Sequence, residues 1–215
     1  MSAAGTTDFL IEAAGELFAR DGFERTTLKA VADRAGVAKG LVAHHFQSKH
    51  GLLLAVVEHY YDRLVQTMRE EDDPSLAPRA RIQVLVDVYF NFMAASSGFP
   101  SLLQHTANRD PEVLALARRK LSGLHGWIES NVLTGLAKRG PVSARQMTLT
   151  LSGAVMTYFT TAYLFDARGW RSDPLDPEAL NERREHLRAV VDALWQLSQG
   201  QGGGDAGEPK RRPEV

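Results

Sequence analysis

The stretch from Thr26 to Lys49, TTLKAVADRAGVAKGLVAHHFQSK, constrains this chain more than any other, because it reads as two short helices joined by a sharp turn. Thr26 and Thr27 carry hydroxyls suited to cap the unpaired amides of a helix's opening turn. Val31, Ala32 and Ala35 give that helix an inner face, and Ala32 is small enough for close approach of a second helix. Gly36 stands where a helix is best ended by a residue that takes positive φ, with Val37 following as an apolar plug. A second helix from Ala38 to Phe46 then turns Leu41, Val42 and Phe46 inward. Lys39, Gly40, Ala43 and His44 or His45 are left outward, as a helix lying in a major groove requires. An ordinary helical hairpin uses the same glycine-terminated turn without touching nucleic acid. Charge favours the DNA-reading alternative, since Lys29, Arg34, Lys39 and Lys49 face the single acid Asp33 in a chain whose formal net charge is −1.

Gly22 and Phe23, Thr26 and Thr27, AVADRAGVAKG from Ala30 to Gly40, and HHFQSKHGLL from His44 to Leu53 recur here in one register. Together they closely resemble the amino-terminal domain of TetR-family transcriptional regulators. Beyond that segment the chain is similar to the family only in length and helical organisation. The resemblance implies a three-helix helix-turn-helix domain that binds operator DNA, joined to a helical domain that binds a small molecule and pairs two chains. It also implies roles for residues. Thr27 and Lys49 match positions that hold backbone phosphates, while Lys29, Lys39, Gly40 and Leu41 match positions near base edges. His44 and His45 occupy the usual aromatic or histidine pair, one ring expected at the DNA backbone and the other packed inward. Ala43 departs from the pattern, standing where family members often carry a tyrosine that bonds a phosphate. The family's commoner mode is repression.

The rest of the chain also reads as helix, which gives an all-α fold. Phe9, Leu10, Ala13, Ala14, Leu17 and Phe18 form an apolar stripe on a helix from about Thr7 to Arg20. A long helix from Lys49 to Glu70 follows Ser48, with Leu52, Leu53, Val56, Val57, Tyr60 and Leu64 on its buried side. Glu70-Glu71-Asp72-Asp73-Pro74 stops it. Helices are expected at about Leu76–Ala95, Pro100–Thr106, Pro111–Lys138, Ser143–Arg168 and Pro177–Gln199. The expected organisation is a DNA-binding domain at 1–48, a connecting helix at 49–73, an effector and dimerisation domain at 74–199, and a disordered tail at 200–215. Lys210, Arg211 and Arg212 in that tail read as a solvated basic patch.

In the second domain, small residues on one helix (Ser152, Gly153, Ala154, Thr157) and apolar ones on the last (Leu187, Val190, Val191, Leu194, Trp195, Leu197) are the expected homodimer surface. Aromatic, methionine and histidine side chains point to a small-molecule cavity. They are Tyr89, Phe92 and Met93, then Leu103 and His105. Leu121, Leu124, His125, Trp127 and Ile128 come from the next helix, and Met147, Leu151, Tyr158 and Phe159 from the one after. With few acids on these helices, chiefly Asp87, Glu129 and Asp166, a lipophilic neutral or anionic effector is favoured over a multivalent cation.

Other classes fit less well. The chain contains no cysteine and no HExxH, GxxxxGK[ST] or GxSxG element, so no enzyme, cofactor or metal site is expected. His44, His45 and His50 lack nearby carboxylates for a metal site. The uncharged run from Gln146 to Phe165 is interrupted by threonines and a serine, which favours a helix surrounded by protein over a membrane span. Asp8, Glu12 and Glu16 near the start, without a basic region, do not read as a secretory signal, so a cytoplasmic protein is expected. The competing reading is a helical protein-interaction module, or a small-molecule binder without DNA recognition.

Overall fold

Apolar residues at helical spacing build every element of the computed structural model, which describes residues 3–96, 98–161 and 173–200. Among those residues the order is α1 (Ala3–Asp21), α2 (Leu28–Ala35), α3 (Lys39–Phe46), α4 (Lys49–Glu70), α5 (Pro78–Ala95), α6 (Gly98–Ala107), α7 (Pro111–Asn131), α8 (Ala144–Thr161) and α9 (Pro177–Gly200), with no strand. Residues 201–215, including Lys210, Arg211 and Arg212, lie outside the described residues, as do the expected end of the eighth helix at Arg168 and the acid Asp166. No described helix is long and apolar enough to cross a membrane.

The core divides into two clusters, and α4 runs through both. Its first half buries Leu52, Leu53, Val56 and Val57 against α1, α2 and α3, joined by Phe99 and Leu102 of α6 and by Val113 and Leu116 of α7. Its second half buries Leu64 and Met68 among residues of α5, α7, α8 and α9. Each such side chain withdrawn from water contributes about 1.5–3 kcal/mol. Ser48 caps the start of α4, its Oγ accepting from Gly51 N at 2.9 Å. Beyond the other end, Asp72 holds Arg81 through two hydrogen bonds of 2.5 and 2.6 Å, and Arg81 also donates to Asn131 O at 2.6 Å. That arginine ties the turn after α4 to α5 and to the end of α7.

Several expectations are corrected. Phe9 is 55% exposed, because it sits on the edge of α1 shared with Glu12 and Glu16 while Leu10, Ala14, Leu17 and Phe18 take the inner face. On α4, Tyr61 rather than Tyr60 is the buried tyrosine. The seventh helix stops at Asn131, not near Lys138. Val132 N and Leu133 N both donate to Ile128 O, at 2.9 and 3.0 Å, and the chain turns so that Val132, Leu133 and Leu136 enter the second core. Apolar residues continue at helical spacing through that turn, which is why the pattern alone overran it. Leu187 and Val191 are fully buried inside their own chain, so α9 offers other residues to a partner.

Two contacts join the amino-terminal helices to the rest. His50 Nε2 lies 2.7 Å from Asp110 Oδ2, and the other oxygen of Asp110 caps α7 by accepting from Glu112 N and Val113 N. Burial alone would raise the Asp110 carboxyl, but those amide donors and His50 outweigh it and hold it below the usual carboxylate range. The second contact is steric, since a Cβ added at Gly98 on α6 would lie 2.5 Å from Ala19 Cβ on α1. Gly98→Ala therefore forces α6 off α1 and is expected to cost about 1–3 kcal/mol. Urea denaturation of the variant measures that loss, and Gly98→Ala combined with Ala19→Gly should recover part of it.

Candidate nucleic-acid interface and the cavity behind it

Thr27 takes extended geometry (φ −112°, ψ 153°) and its Oγ1 accepts from Ala30 N at 3.1 Å, so it is the cap of α2. Gly36 ends the helix in the left-handed region at φ 68°, with Val37 N donating to Ala32 O at 3.0 Å and Gly36 N to Asp33 O at 3.3 Å. That closure satisfies two carbonyls of the last turn and aims the chain into α3. Val42 is fully buried beneath α3, Phe46 is half-buried, and Leu41 is half-buried at the rim. Lys39, Gly40, Ala43, His44 and His45 are exposed on the outer face. A Cβ at Gly40 would meet nothing within 4 Å, so the bare backbone there serves no packing inside the chain.

Several expected contact residues have other engagements. Thr26 is 3% exposed and its hydroxyl donates to Gly22 O at 2.9 Å and Leu17 O at 3.2 Å. It is a buried anchor of the loop after α1, so it neither caps α2 nor faces a duplex. Neither histidine packs inward, since both rings are exposed, set edge to face 5.7 Å apart, with His45 Nδ1 3.4 Å from Thr7 Oγ1. Lys49 sends its ammonium to Phe23 O and Glu24 O at 2.9 and 3.0 Å and lies over the Phe23 ring. Lys29 pairs with Asp33 at 2.7 Å and Arg34 with Glu16 at 2.6 Å, both on the surface. Exposed pairs of this kind contribute only about 0–1 kcal/mol, so a phosphate can replace the carboxylate. No group of histidine, aspartate or glutamate side chains among the described residues could hold a metal ion.

The junction between α3 and α4 was missed by the motif reading. Gln47 sits at φ 60°, ψ −40°, the only described residue other than glycine at positive φ, and Ser48 N donates to Phe46 O at 2.6 Å across it. This is a strained three-residue turn. Gly51 makes it possible, because a Cβ there would come within 2.3 Å of Phe46 O. The signal available in the sequence was the Ser48 cap with glycine three residues on.

Deeper in the second core, α4, α5, α7 and α8 enclose a cavity of about 60 Å³. Of the expected pocket residues, Tyr89, Leu121, Leu124, His125, Ile128 and Leu151 line it. Met93, Met147 and Phe159 instead fill the solid core. Tyr158 is held by a hydrogen bond from its hydroxyl to Pro174 O, Trp127 lies under Arg69, and Phe92 sets its edge to Tyr60. Leu103 lines a separate groove between α6, α7 and α8, and His105 faces a cleft beside the end of α1. Met68, Ile82, Leu85 and Val86 complete one wall, and Val132, Leu133, Thr148 and Ser152 the other. No aspartate, glutamate, lysine or arginine is among the lining residues. Asp87, one of the few acids on these helices, is taken up by Arg188 at 2.6 Å. Burial lowers the pKa of His125, partly opposed by Glu129, which favours its neutral ring.

Residues 10–56 match the family model for bacterial regulatory proteins of the tetR family. The transcriptional regulator BetI of Burkholderia thailandensis is 32% identical over 164 residues, covering 63% of this chain and 84% of that protein. The chain belongs to the TetR family. The transcriptional activator FasR of Mycolicibacterium smegmatis is 33% identical over 107 residues, 49% of each chain. The transcriptional repressor KstR2 of Rhodococcus jostii is 31% identical over 101 residues, 47% of this chain and 50% of that protein. This chain thus spans about half the length of those two relatives. FadR of Bacillus subtilis, solved with stearoyl-CoA, superposes with a TM-score of 0.63 at 18% identity, over 88% of this chain and 96% of that one. A protein of Saccharomonospora viridis in complex with choline gives 0.66 at 18% identity, over the same 88% and 96%. At that identity the likeness establishes a shared TetR-family fold.

Gln47→Gly removes the strain of the turn while adding freedom to the unfolded chain, for a net gain of about 1 kcal/mol. Thermal denaturation should show a midpoint roughly 2–4 °C higher. A lower midpoint would mean that the glutamine side chain holds the turn.

Proposed function

We propose that this chain is a homodimeric, sequence-specific DNA-binding transcriptional regulator that acts as a repressor and leaves its operator when a small molecule enters the cavity. One observation carries the reading: α3 buries Val42 beneath it and turns Lys39, Gly40, Ala43 and His44 to solvent on a face with no packing role in the chain. Lys39 can donate to guanine O6 and N7, and Gly40 and Leu41 admit close approach to a thymine methyl. The missing tyrosine at Ala43 removes about 1 kcal/mol of phosphate hydrogen bonding, which weakens binding without abolishing it.

A single head of this size makes too few contacts for a rare site, so two chains on an inverted repeat are needed. The outer faces of α8 and α9 suit that pairing. Leu149 and Leu197 are exposed by 49% and 57%, flanked by the exposed Gly153, Thr157, Ala189 and Ala193. Helix α4 supplies the coupling. Its 22 residues span about 33 Å, with Met68 lining the cavity at one end and, at the other, the Gln47 turn joining it to α3 and Lys49 tying it to the loop after α1. A ligand that shifts Met68 prefers one spacing of the paired heads, which is all that linkage requires.

Selection of bound fragments from a genomic library should return an inverted repeat, with sedimentation showing a dimer at micromolar concentration. Protein that ignores every duplex would leave a helical protein-interaction module or a small-molecule binder without DNA recognition. Lys39→Ala is expected to lose about 1–3 kcal/mol on the operator and much less on random DNA. Lys49→Ala should weaken both alike and shallow the salt dependence by about one unit of slope, since two of its three donors are engaged by carbonyls and one is free for a phosphate.

A further inference from the structure

Tyr61 is 2% exposed, yet its hydroxyl has no hydrogen-bond partner among the described residues. A buried hydroxyl without a partner is costly to keep, and in a folded chain it calls for an explanation. Its position offers one. Tyr61 lines the groove of about 330 Å³ bounded by α4, α6, α7 and α8, and that groove shares the side chain of Leu121 with the apolar cavity. Tyr61 lies close enough to Tyr89 in the cavity wall to influence its ionisation, and Leu121 forms part of the wall between the two spaces.

The chemistry changes across that wall. The groove carries Gln104, Asn108, Thr157 and Arg118. The cavity is walled mainly by aliphatic side chains, with His125 held toward its neutral ring by burial, and its hydroxyl-bearing residues of α8 are already committed, Thr148 to Ala144 O at 3.0 Å and Ser152 to Leu149 O at 3.4 Å. Tyr89 is the one phenol lining the cavity. Neither space contains a carboxylate, so a cation entering would lose its hydration with no opposite charge to meet it. Burial pushes both phenols far up from their ordinary value, with the neighbouring Tyr61 adding to the rise at Tyr89, so both remain protonated donors.

Resting on the effector reading above, we propose that the ligand is an elongated, largely apolar molecule without positive charge whose carbonyl-type oxygen accepts a hydrogen bond from the orphaned hydroxyl of Tyr61, with Tyr89 as second donor. Its apolar end passes Leu121 into the cavity and its other end stays in the groove. A cavity of about 60 Å³ holds only a small group, so entry of a chain displaces Leu121 and Met68 from their positions in the free protein. Displacement of Met68 acts directly on α4, which places the recognition event on the helix that holds α3.

Calorimetric titration of the full chain with 2-decanone and with decyltrimethylammonium tests the proposal, using wild type, Tyr61→Phe and Tyr89→Phe. The ketone should bind wild type and lose about tenfold in affinity in each variant, while the cation gives no heat of binding. The free Tyr61→Phe protein should melt above wild type, because the substitution removes an unsatisfied group and keeps the ring. No ketone binding, equal binding by Tyr61→Phe, tighter binding of the cation, or a lower melting point for free Tyr61→Phe would each overturn the inference. Tyr61→Phe carries the test should Tyr89→Phe fail to fold. Ketone bound as described without loosening an operator duplex would refute the effector reading and leave this one standing. Ketone-driven release equal in wild type and both variants would do the reverse.

Discussion

The apolar face of α4 is the interaction on which the rest of the molecule depends. Leu52, Leu53, Val56 and Val57 on one half and Leu64 and Met68 on the other are each at most 4% exposed, and they belong to different cores. A helix buried along its whole length in this way cannot bend freely, because moving either half would open a void in a close-packed interior. Under the proposed effector reading, this is why a displacement at the cavity would be carried along α4 toward the Gln47 turn and α3.

The two ends of α4 are built differently. At the head, polar and covalent geometry dominates: the Ser48 cap, the strained turn at Gln47, and the ammonium of Lys49 drawn onto the carbonyls of Phe23 and Glu24. Together they hold α3 at a set angle to α4 and leave its outer face open. At the other end, apolar packing around a small void gives α4 room to respond. Rigid presentation of the reading surface and a deformable seat for a ligand are both needed if binding at one site is to be felt at the other.

Links outside α4 keep the head in register with the second domain. The close approach of Gly98 to Ala19 fixes α6 against α1, and the Asp110 carboxylate serves at once as the cap of α7 and the partner of His50. Because one carboxylate does both, the start of α7 and the start of α4 share a fixed point. The start of α4 is thus tied to α7 through His50, and its far end to α5 and α7 through Asp72 and Arg81.

The all-helical fold, a threonine cap at 26 or 27, the left-handed glycine at 36, the bounds of α3 to within a residue and those of α4 at both ends were legible in the sequence alone. These are local matters, decided by backbone geometry and by apolar spacing along one helix. It could not decide what depends on several helices meeting. Thr26 and Thr27 are the same residue type side by side, and only the packing of the loop after α1 buries one and exposes the other. The expected run of α7 to Lys138 failed because Val132, Leu133 and Leu136 satisfy a helical pattern as well as they fill a core from a turn. More than half of the cavity wall escaped notice for the same reason, since Ile82, Val86 and Leu133 look like any buried aliphatic until the neighbouring helices leave space beside them. Tyr61 is the sharpest case: burial removes its hydroxyl from water, and nothing along the chain shows that no partner awaits it.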